Sequence, residues 1–93
     1  MTDFPSAKVL ALSAPRPEYP YEARRQRAIG SGVVLLTVDY GSGRVTHAQM
    51  LRSTGHASLD QAALIGFRRW RFAPGTAARV QVPITYTLSG ASY

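Results

Sequence analysis

The segment from Arg79 to Leu88 alternates apolar side chains with polar, charged or proline residues at every position. Successive side chains of a strand point to opposite faces of a sheet, so strict alternation indicates a strand with one face toward a core. The apolar positions are Val80, Val82, Ile84, Tyr86 and Leu88. Pro83 lies near the centre of the segment and cannot donate a ladder hydrogen bond, which favours an edge location. The sequence therefore predicts a half-buried strand at one edge of a sheet.

A hairpin is predicted upstream of this strand. Residues Val33 to Val38 form a continuous apolar run rich in β-branched side chains, which is typical of a central strand. Turn residues follow from Asp39 to Gly43, and a more polar strand is expected from Arg44 to Arg52. These two strands are expected to be antiparallel neighbours.

Two helices are predicted from their end signals and their apolar spacing. Pro20 suits the first position of a helix that should run to about Ala28, with Gly30 ending it. Ser58 and Gln61 have the spacing of a capping box at the start of a second helix. The second helix carries one apolar stripe, which predicts that its aromatic residues lie in the core. That stripe consists of Leu59, Ala62, Ala63, Gly66, Phe67 and Trp70.

The order of these elements is helix, strand, strand, helix, strand. A helical crossover returns the third strand parallel to the second, so pairing with the first strand makes every neighbouring pair antiparallel. We therefore expect a two-layer α+β domain with a three-stranded antiparallel sheet in the order 2-1-3 and both helices on one face. Residues 1–14 are expected to form an extended lead-in or linker, and residues 15–93 the domain.

Charge and composition limit the function classes. Eleven Lys and Arg against five Asp and Glu give a net charge of +6, which suits acidic peptides, anionic lipid or nucleic acid and is equally compatible with simple solubility. The arginines cluster at the expected helix C-termini, where the helix dipole favours them. There is no cysteine, and His47 and His56 lack the neighbours of a metal site. No nucleophile–base pattern is visible, so neither an enzyme nor a cofactor or metal is expected.

No signal peptide and no membrane-spanning run is visible in the sequence. We therefore expect either a cytoplasmic protein or a soluble fragment of a longer anchored one.

Several short motifs occur together in a recognisable order. They are Tyr19-Pro20, Gly30 and Gly32, Asp39 with Gly43-Arg44-Val45, Leu59-Asp60, Arg68-Arg69-Trp70-Arg71-Phe72, Pro74-Gly75 and Val82-Pro83-Ile84. Over roughly residues 15 to 90 the chain resembles the C-terminal domain of TonB. The resemblance implies a periplasmic domain of a longer protein, anchored in the inner membrane by one helix that is missing here and coupled to an ExbB–ExbD-type complex. Such a domain grips the TonB-box peptide of outer-membrane receptors and supports nutrient or siderophore uptake driven by the proton-motive force.

The resemblance and the edge strand together predict a peptide-binding site by β-strand addition. Because Pro83 lacks an N–H, its backbone should face the open edge, with Gln81 and Thr85 as the main donors to the peptide. The candidate binding residues are Arg79, Gln81, Val82, Pro83, Thr85, Thr87, Arg16, Tyr19 and Pro20. Arg16 stands where the best-studied family member has a glutamine thought to contact the receptor, so it is expected to bear on partner choice.

Other uses of the same features stay open at this point. The edge could be closed by Pro83 or covered by the N-terminal segment, or two copies could pair through it as a homodimer. A TolA-like periplasmic scaffold is a further alternative. A basic nucleic-acid-binding module is less favoured, because the arginines lie at helix ends and the aromatic residues at apolar positions, and no nucleic acid partner is expected.

Overall fold

The computed structural model describes residues 11–76 and 78–93. Its elements in chain order are β1 (Ala11–Ser13), α1 (Tyr21–Arg25), β2 (Gly30–Val38), β3 (Val45–Arg52), α2 (Ala57–Arg68), β4 (Arg71–Phe72), β5 (Arg79–Thr87) and β6 (Gly90–Ser92). The main sheet has four antiparallel strands in the order β3-β2-β5-β6, and β1 pairs with β4 in a separate small sheet. Within the described ranges, neither helix has the length and apolar character needed to cross a bilayer.

The α+β class is confirmed, and β3, β2 and β5 stand in the predicted order 2-1-3. The predicted number of strands is wrong, because β6 turns back after Thr87 and pairs with the end of β5. Gly90 opens β6 at a φ of 128°, a conformation that glycine adopts without strain. Leu88 lies in the turn and is 51% exposed, so its predicted inward orientation is also wrong. Of the expected lead-in, residues 1–10 lie outside the described residues, and Ala11–Ser13 form β1.

One hydrophobic core lies between the sheet and the helices. In β5, every second side chain is buried, and β2 faces it in a register that pairs Val34 with Val82 and Leu36 with Val80. Ala23 of α1 belongs to the same buried cluster as Leu59, Ala63 and Phe67 of α2, so both helices pack on this core. The largest fully buried side chains are Trp70, Tyr86, Phe67, Phe72, Leu36, Leu59, Ile84, Val34 and Val82.

Trp70 follows α2 and lies at the centre of an aromatic cluster. Its ring contacts Phe67 edge-on at 4.9 Å between centroids and Tyr93 at 5.2 Å. Its indole Nε1 donates to the carbonyl oxygen of Pro15 at 2.9 Å, so the polar atom of a 1% exposed side chain is satisfied. Trp70 therefore joins the core to the segment that leads into α1.

Replacing Trp70 with alanine should cost about 3–5 kcal/mol of unfolding free energy, because it removes a large buried ring and leaves a cavity. Ile65, which lies in the preceding helix α2 and is 58% exposed, is the control. Ile65→Ala should change stability by less than about 1 kcal/mol. Urea unfolding of both variants measures the difference, and near-equal values would place Trp70 outside the core.

Helix α1 ends differently from the sequence prediction. Arg27 has a φ of 57°, and the Arg27 and Ala28 amides donate to the carbonyl oxygens of Arg24 and Ala23 at 3.0 and 2.9 Å. This pair of bonds is a Schellman motif with Arg27 at the left-handed position. The prediction that Gly30 ends the helix is therefore wrong. Gly30 instead begins β2, where a Cβ would lie 2.1 Å from the Thr54 carbonyl oxygen.

The left-handed backbone of Arg27 leads to a stabilising substitution. That conformation costs a side-chain-bearing residue about 1–2 kcal/mol, and glycine avoids this strain while losing about 0.5–1 kcal/mol of backbone entropy. Arg27→Gly should therefore raise the free energy of unfolding by about 0.5–1 kcal/mol. Arg25→Gly, which removes the same charge inside α1, should lower it. Thermal melts of the two variants should shift in opposite directions, and a destabilised Arg27→Gly would contradict the motif.

The start of α2 also departs from the predicted capping box. The N-cap residue is His56 with no side-chain capping bond, and Ser58 lies inside the helix. Asp60 instead accepts hydrogen bonds from the Ser53 hydroxyl at 2.6 Å and from both the amide and the hydroxyl of Thr54 at 2.9 and 2.6 Å. The predicted capping box is wrong because the helix begins at Ala57, which puts Ser58 inside it and His56 at the N-cap.

The hydrogen bonds to Asp60 make part of the stability pH-dependent. Burial alone would raise the pKa of Asp60, but the bonds from Ser53 and Thr54 and the nearby His56 outweigh it and lower the pKa. A carboxyl whose pKa is lowered on folding stabilises the fold above its unfolded pKa, near 3.9, and loses that contribution as the pH falls through the folded pKa.

Asp60→Asn should cost about 1–3 kcal/mol at pH 7, because hydrogen bonds to a charged group are lost. It should also remove part of the loss of stability that the wild-type domain shows below about pH 4. Urea unfolding at pH 7 and pH 3 measures both effects. Glu22→Gln, which removes an exposed carboxylate, is the control and should keep the wild-type acid response. An unchanged acid response in Asp60→Asn would refute the role of this carboxylate.

Candidate functional site

The backbone of β5 alternates between an inner and an outer side. The Val38 amide donates to the Ala78 carbonyl oxygen at 2.8 Å, and the register continues with Thr37 opposite Arg79. Because bonded and non-bonded pairs alternate along an antiparallel ladder, even-numbered residues of β5 bond toward β2 and odd-numbered residues face away from it. Pro83 is odd-numbered, so its missing N–H removes no bond between β5 and β2.

Strand β6 divides the outer side of β5 into two parts. Thr85 pairs with Ser92 and Thr87 with Gly90, so the outward backbone groups of both threonines are used inside the domain. The expectation that these two threonines lie on an open edge is therefore wrong. We call residues 79–84 the free edge, since no described residue pairs with their outer side.

The free edge offers a short row of main-chain groups. Arg79 and Gln81 each present an outward N–H and C=O, and Pro83 presents a C=O alone. The side chains of these three residues are exposed on the face of the sheet opposite the core. Val82, by contrast, is 1% exposed and packs in the core, so only its neighbours are accessible to a partner.

The remaining predicted site residues lie in the layer of helices. The Tyr19 hydroxyl donates to the Ala28 carbonyl oxygen at 2.7 Å. The Tyr19 ring lies 5.7 Å from the Tyr86 ring between centroids, and the Arg24 guanidinium lies 5.1 Å above the centroid of the Tyr19 ring. Tyr19 therefore fixes α1 on the domain. Its neighbour Pro20 lines a groove that Arg16 also borders.

This groove has a volume of about 320 Å³ and runs between the lead-in segment and α2. It forms because Pro17 packs directly on Gly66, where a Cβ would lie 2.8 Å from the Pro17 Cα. Its lining residues are Pro15, Arg16, Glu18, Pro20, Ser58, Gln61, Ala62, Ile65, Gly66 and Arg69. No β5 residue is among them, so Arg79, Gln81 and Pro83 at the free edge are separate from Arg16 and Pro20 at the groove. Of the other predicted site residues, Tyr19, Thr85 and Thr87 lie at neither location, and the Val82 side chain is buried in the core.

Sequence reasoning missed this groove. The available signal was the glycine within the apolar stripe of α2, which permits a close approach by another segment. Which segment approaches is a long-range contact that the spacing of residues does not reveal. Within the part of the chain that the structure describes, no group of three His, Cys, Asp or Glu residues is placed to hold a metal ion.

Fold and edge define a small α+β domain whose sheet, among the described residues, leaves part of one strand unpaired. Comparison with known proteins specifies the class. The family model for the C-terminal region of the Gram-negative bacterial TonB protein matches residues 15–89. The chain belongs to this family of TonB C-terminal domains.

Individual relatives agree with the family match. The chain is 40% identical over 92 residues to Protein tonB2 of Pseudomonas aeruginosa, covering 91% of this chain and 33% of that protein. It is 33% identical over 79 residues to Protein TonB of Xanthomonas campestris pv. campestris, covering 78% and 35%, respectively. For Protein TonB of Vibrio cholerae the identity is 32% over 81 residues, covering 81% and 33%. The chain thus spans about a third of the length of these relatives.

Proposed function

We propose that this domain is the periplasmic, receptor-binding part of a TonB-like energy transducer. In this proposal it grips the TonB-box peptide of an outer-membrane receptor by adding the peptide as a strand beside β5. Family membership supports the class of function. The observation that carries the mechanism is the free edge, where outward main-chain groups have no pairing partner among residues 11–76 and 78–93.

The geometry of the free edge sets the register of the added peptide. An extended peptide would exchange backbone hydrogen bonds with Arg79 and Gln81 and donate one bond to the Pro83 carbonyl. Beyond residue 84, β6 already pairs with the outer side of β5. A peptide that paired with more of β5 would therefore require β6 to move away from Thr85 and Thr87. Each such bond contributes about 0.5–1.5 kcal/mol net, so main-chain pairing alone gives weak binding and side-chain contacts must supply the rest.

Arg16 and the groove offer a second point of contact. The exposed Arg16 lies beside Pro20 and across the groove from α2, away from the free edge. In the proposed complex, the peptide occupies the edge while Arg16 faces another part of the receptor and influences partner choice.

The role in transport belongs to the whole protein. We propose that a membrane anchor outside this chain connects the domain to an ExbB–ExbD-type complex, which supplies force from the proton-motive force. The domain then transmits that force to the receptor through the added strand and thereby supports nutrient uptake.

Strand addition can be tested with one matched pair of variants. Gln81→Pro removes an outward N–H without breaking a bond to β2, whereas Gln81→Ala retains that N–H. A synthetic TonB-box peptide titrated into ¹⁵N-labelled domain should shift the amides of Arg79 and Gln81 in the wild type. Gln81→Ala should bind similarly, and Gln81→Pro should bind about tenfold more weakly or not at all, because one bonding position is lost and a ring occupies the edge.

Amide spectra and thermal melts first establish that both variants are folded. Equal peptide affinity in the two variants would exclude pairing at the free edge. Shifts confined to α1, with Arg79 and Gln81 unmoved at saturation, would exclude it as well.

Self-association through the same edge is the competing use. Two copies could pair their free edges antiparallel, since each presents the same main-chain groups. Sedimentation velocity over a concentration series distinguishes the two uses: concentration-dependent dimerisation that Gln81→Pro abolishes would favour the homodimer.

A further inference from the structure

A second concave site lies at the start of β3, the edge strand on the other side of β2 from the free edge. Its volume is about 320 Å³, and it is lined by Arg44, Val45, Arg68, Arg69, Trp70 and Arg71. We call it the arginine pocket. Arg44 immediately precedes β3, which is separated from β5 by β2, so no residue of the free edge contributes to this pocket.

None of the four arginines of the arginine pocket forms an ion pair with a described residue. Within residues 11–76 and 78–93, the only ion pair joins Arg25 to Glu22, outside the pocket. The carboxylate of Asp39, whose backbone bonds to Arg44, accepts from Ser42, and that of Asp60 accepts from the loop before α2. Glu18 lines the groove together with Arg69 but forms no ion pair with it. The pocket therefore concentrates four positive charges, none of which is ion-paired with a described carboxylate.

Local structure explains only half of this charge. Arg68 and Arg69 lie at the C-terminal end of α2, where the helix dipole favours cations. Arg44 and Arg71 come from extended segments and are direct partners across an isolated β-bridge. Like charges directly opposite each other destabilise a sheet, so this arrangement disfavours the unliganded domain electrostatically. An anion in the pocket would relieve that repulsion.

We propose that the arginine pocket binds a phosphate group that carries at least two negative charges. A single carboxylate has one charge and two oxygens, and it matches one guanidinium fork. A phosphate monoester or diphosphate carries more charge and more acceptor oxygens, and it can bridge guanidinium groups from the helix end and from the β-bridge together. The ligand is either a soluble phosphate compound or the phosphate of a lipid headgroup.

Calorimetry with pyrophosphate at low ionic strength tests the pocket directly. Arg44→Gln and Arg71→Gln should each weaken binding about tenfold, because each removes charge-assisted hydrogen bonds, and the double variant should not bind. Arg52→Gln is the matched control, since it removes the same charge at the far end of β3 without lining the pocket. It should bind within about twofold of the wild type, because Arg52 does not line the pocket and donates no hydrogen bond to a ligand there.

A melting experiment provides an independent readout of the same variants. Pyrophosphate should raise the melting temperature of the wild type and leave that of the double variant unchanged. Without ligand, Arg44→Gln and Arg71→Gln should melt at or above the wild-type temperature at low salt, because the cross-strand repulsion is removed.

Three further probes identify the ligand class. Succinate tests carboxylates, vesicles of phosphatidylcholine with and without phosphatidic acid test lipid headgroups, and a short duplex DNA tests diffuse attraction to polyanions. Binding of phosphatidic acid vesicles that requires Arg44 and Arg71 supports a lipid source, and pyrophosphate binding without vesicle binding supports a soluble one. The proposal would be overturned if succinate bound as tightly as pyrophosphate, or if Arg52→Gln weakened binding as much as Arg44→Gln and Arg71→Gln. It would also be overturned if neither pyrophosphate nor vesicles bound, or if all variants bound DNA equally and none bound pyrophosphate.

Discussion

The register between β2 and β5 determines both the core and the free edge. It places Val80 and Val82 against Leu36 and Val34, and it leaves the groups of odd-numbered residues facing outward. A slip of one residue would turn the buried side chains to solvent and direct the missing N–H of Pro83 into the ladder. Both results are unfavourable, so the hydrophobic pattern and the proline select the same register. The exposed main-chain groups of the edge thus depend on the packing of the core.

A second dependence joins the core to the lead-in segment. Three aromatic residues donate hydrogen bonds to carbonyl oxygens of that segment: Trp70 to Pro15, Tyr86 to Glu18 and Tyr93 to Ala14. Burial, with a smaller contribution from the negative charge of Asp60, raises the pKa of the Tyr86 hydroxyl to about 12, so this donor keeps its proton at physiological pH. The groove beside α2 exists because the segment is fixed in this way.

The sequence predicted best where one periodic signal decided the structure. Alternation in β5, together with Pro83, predicted its buried face and its outward edge, and the apolar stripe of α2 predicted the burial of Trp70. The strand β6 was missed because it is only three residues long and is held by pairing to its neighbour. A segment that short carries no usable periodicity.

Other parts of the structure could not be read from local patterns. Arg27 adopts the left-handed conformation although Gly30 follows closely, because Gly30 is needed where β2 passes the Thr54 carbonyl. The arginine pocket and the groove each join residues far apart in the chain, so helix-end rules accounted for only part of the charge. These sites become visible only when the tertiary contacts are known.

The limited length of the free edge has a consequence for solubility. An unpaired strand is a template onto which identical chains can stack, and long flat edges promote fibrous aggregation. Here β6 closes one end of the strand, and the ring of Pro83 interrupts the row of donors before it. A second molecule therefore finds too few consecutive bonding positions to propagate an ordered stack. Among the described residues, the accessible part of that strand is thus short and interrupted, which disfavours fibrous stacking of identical chains.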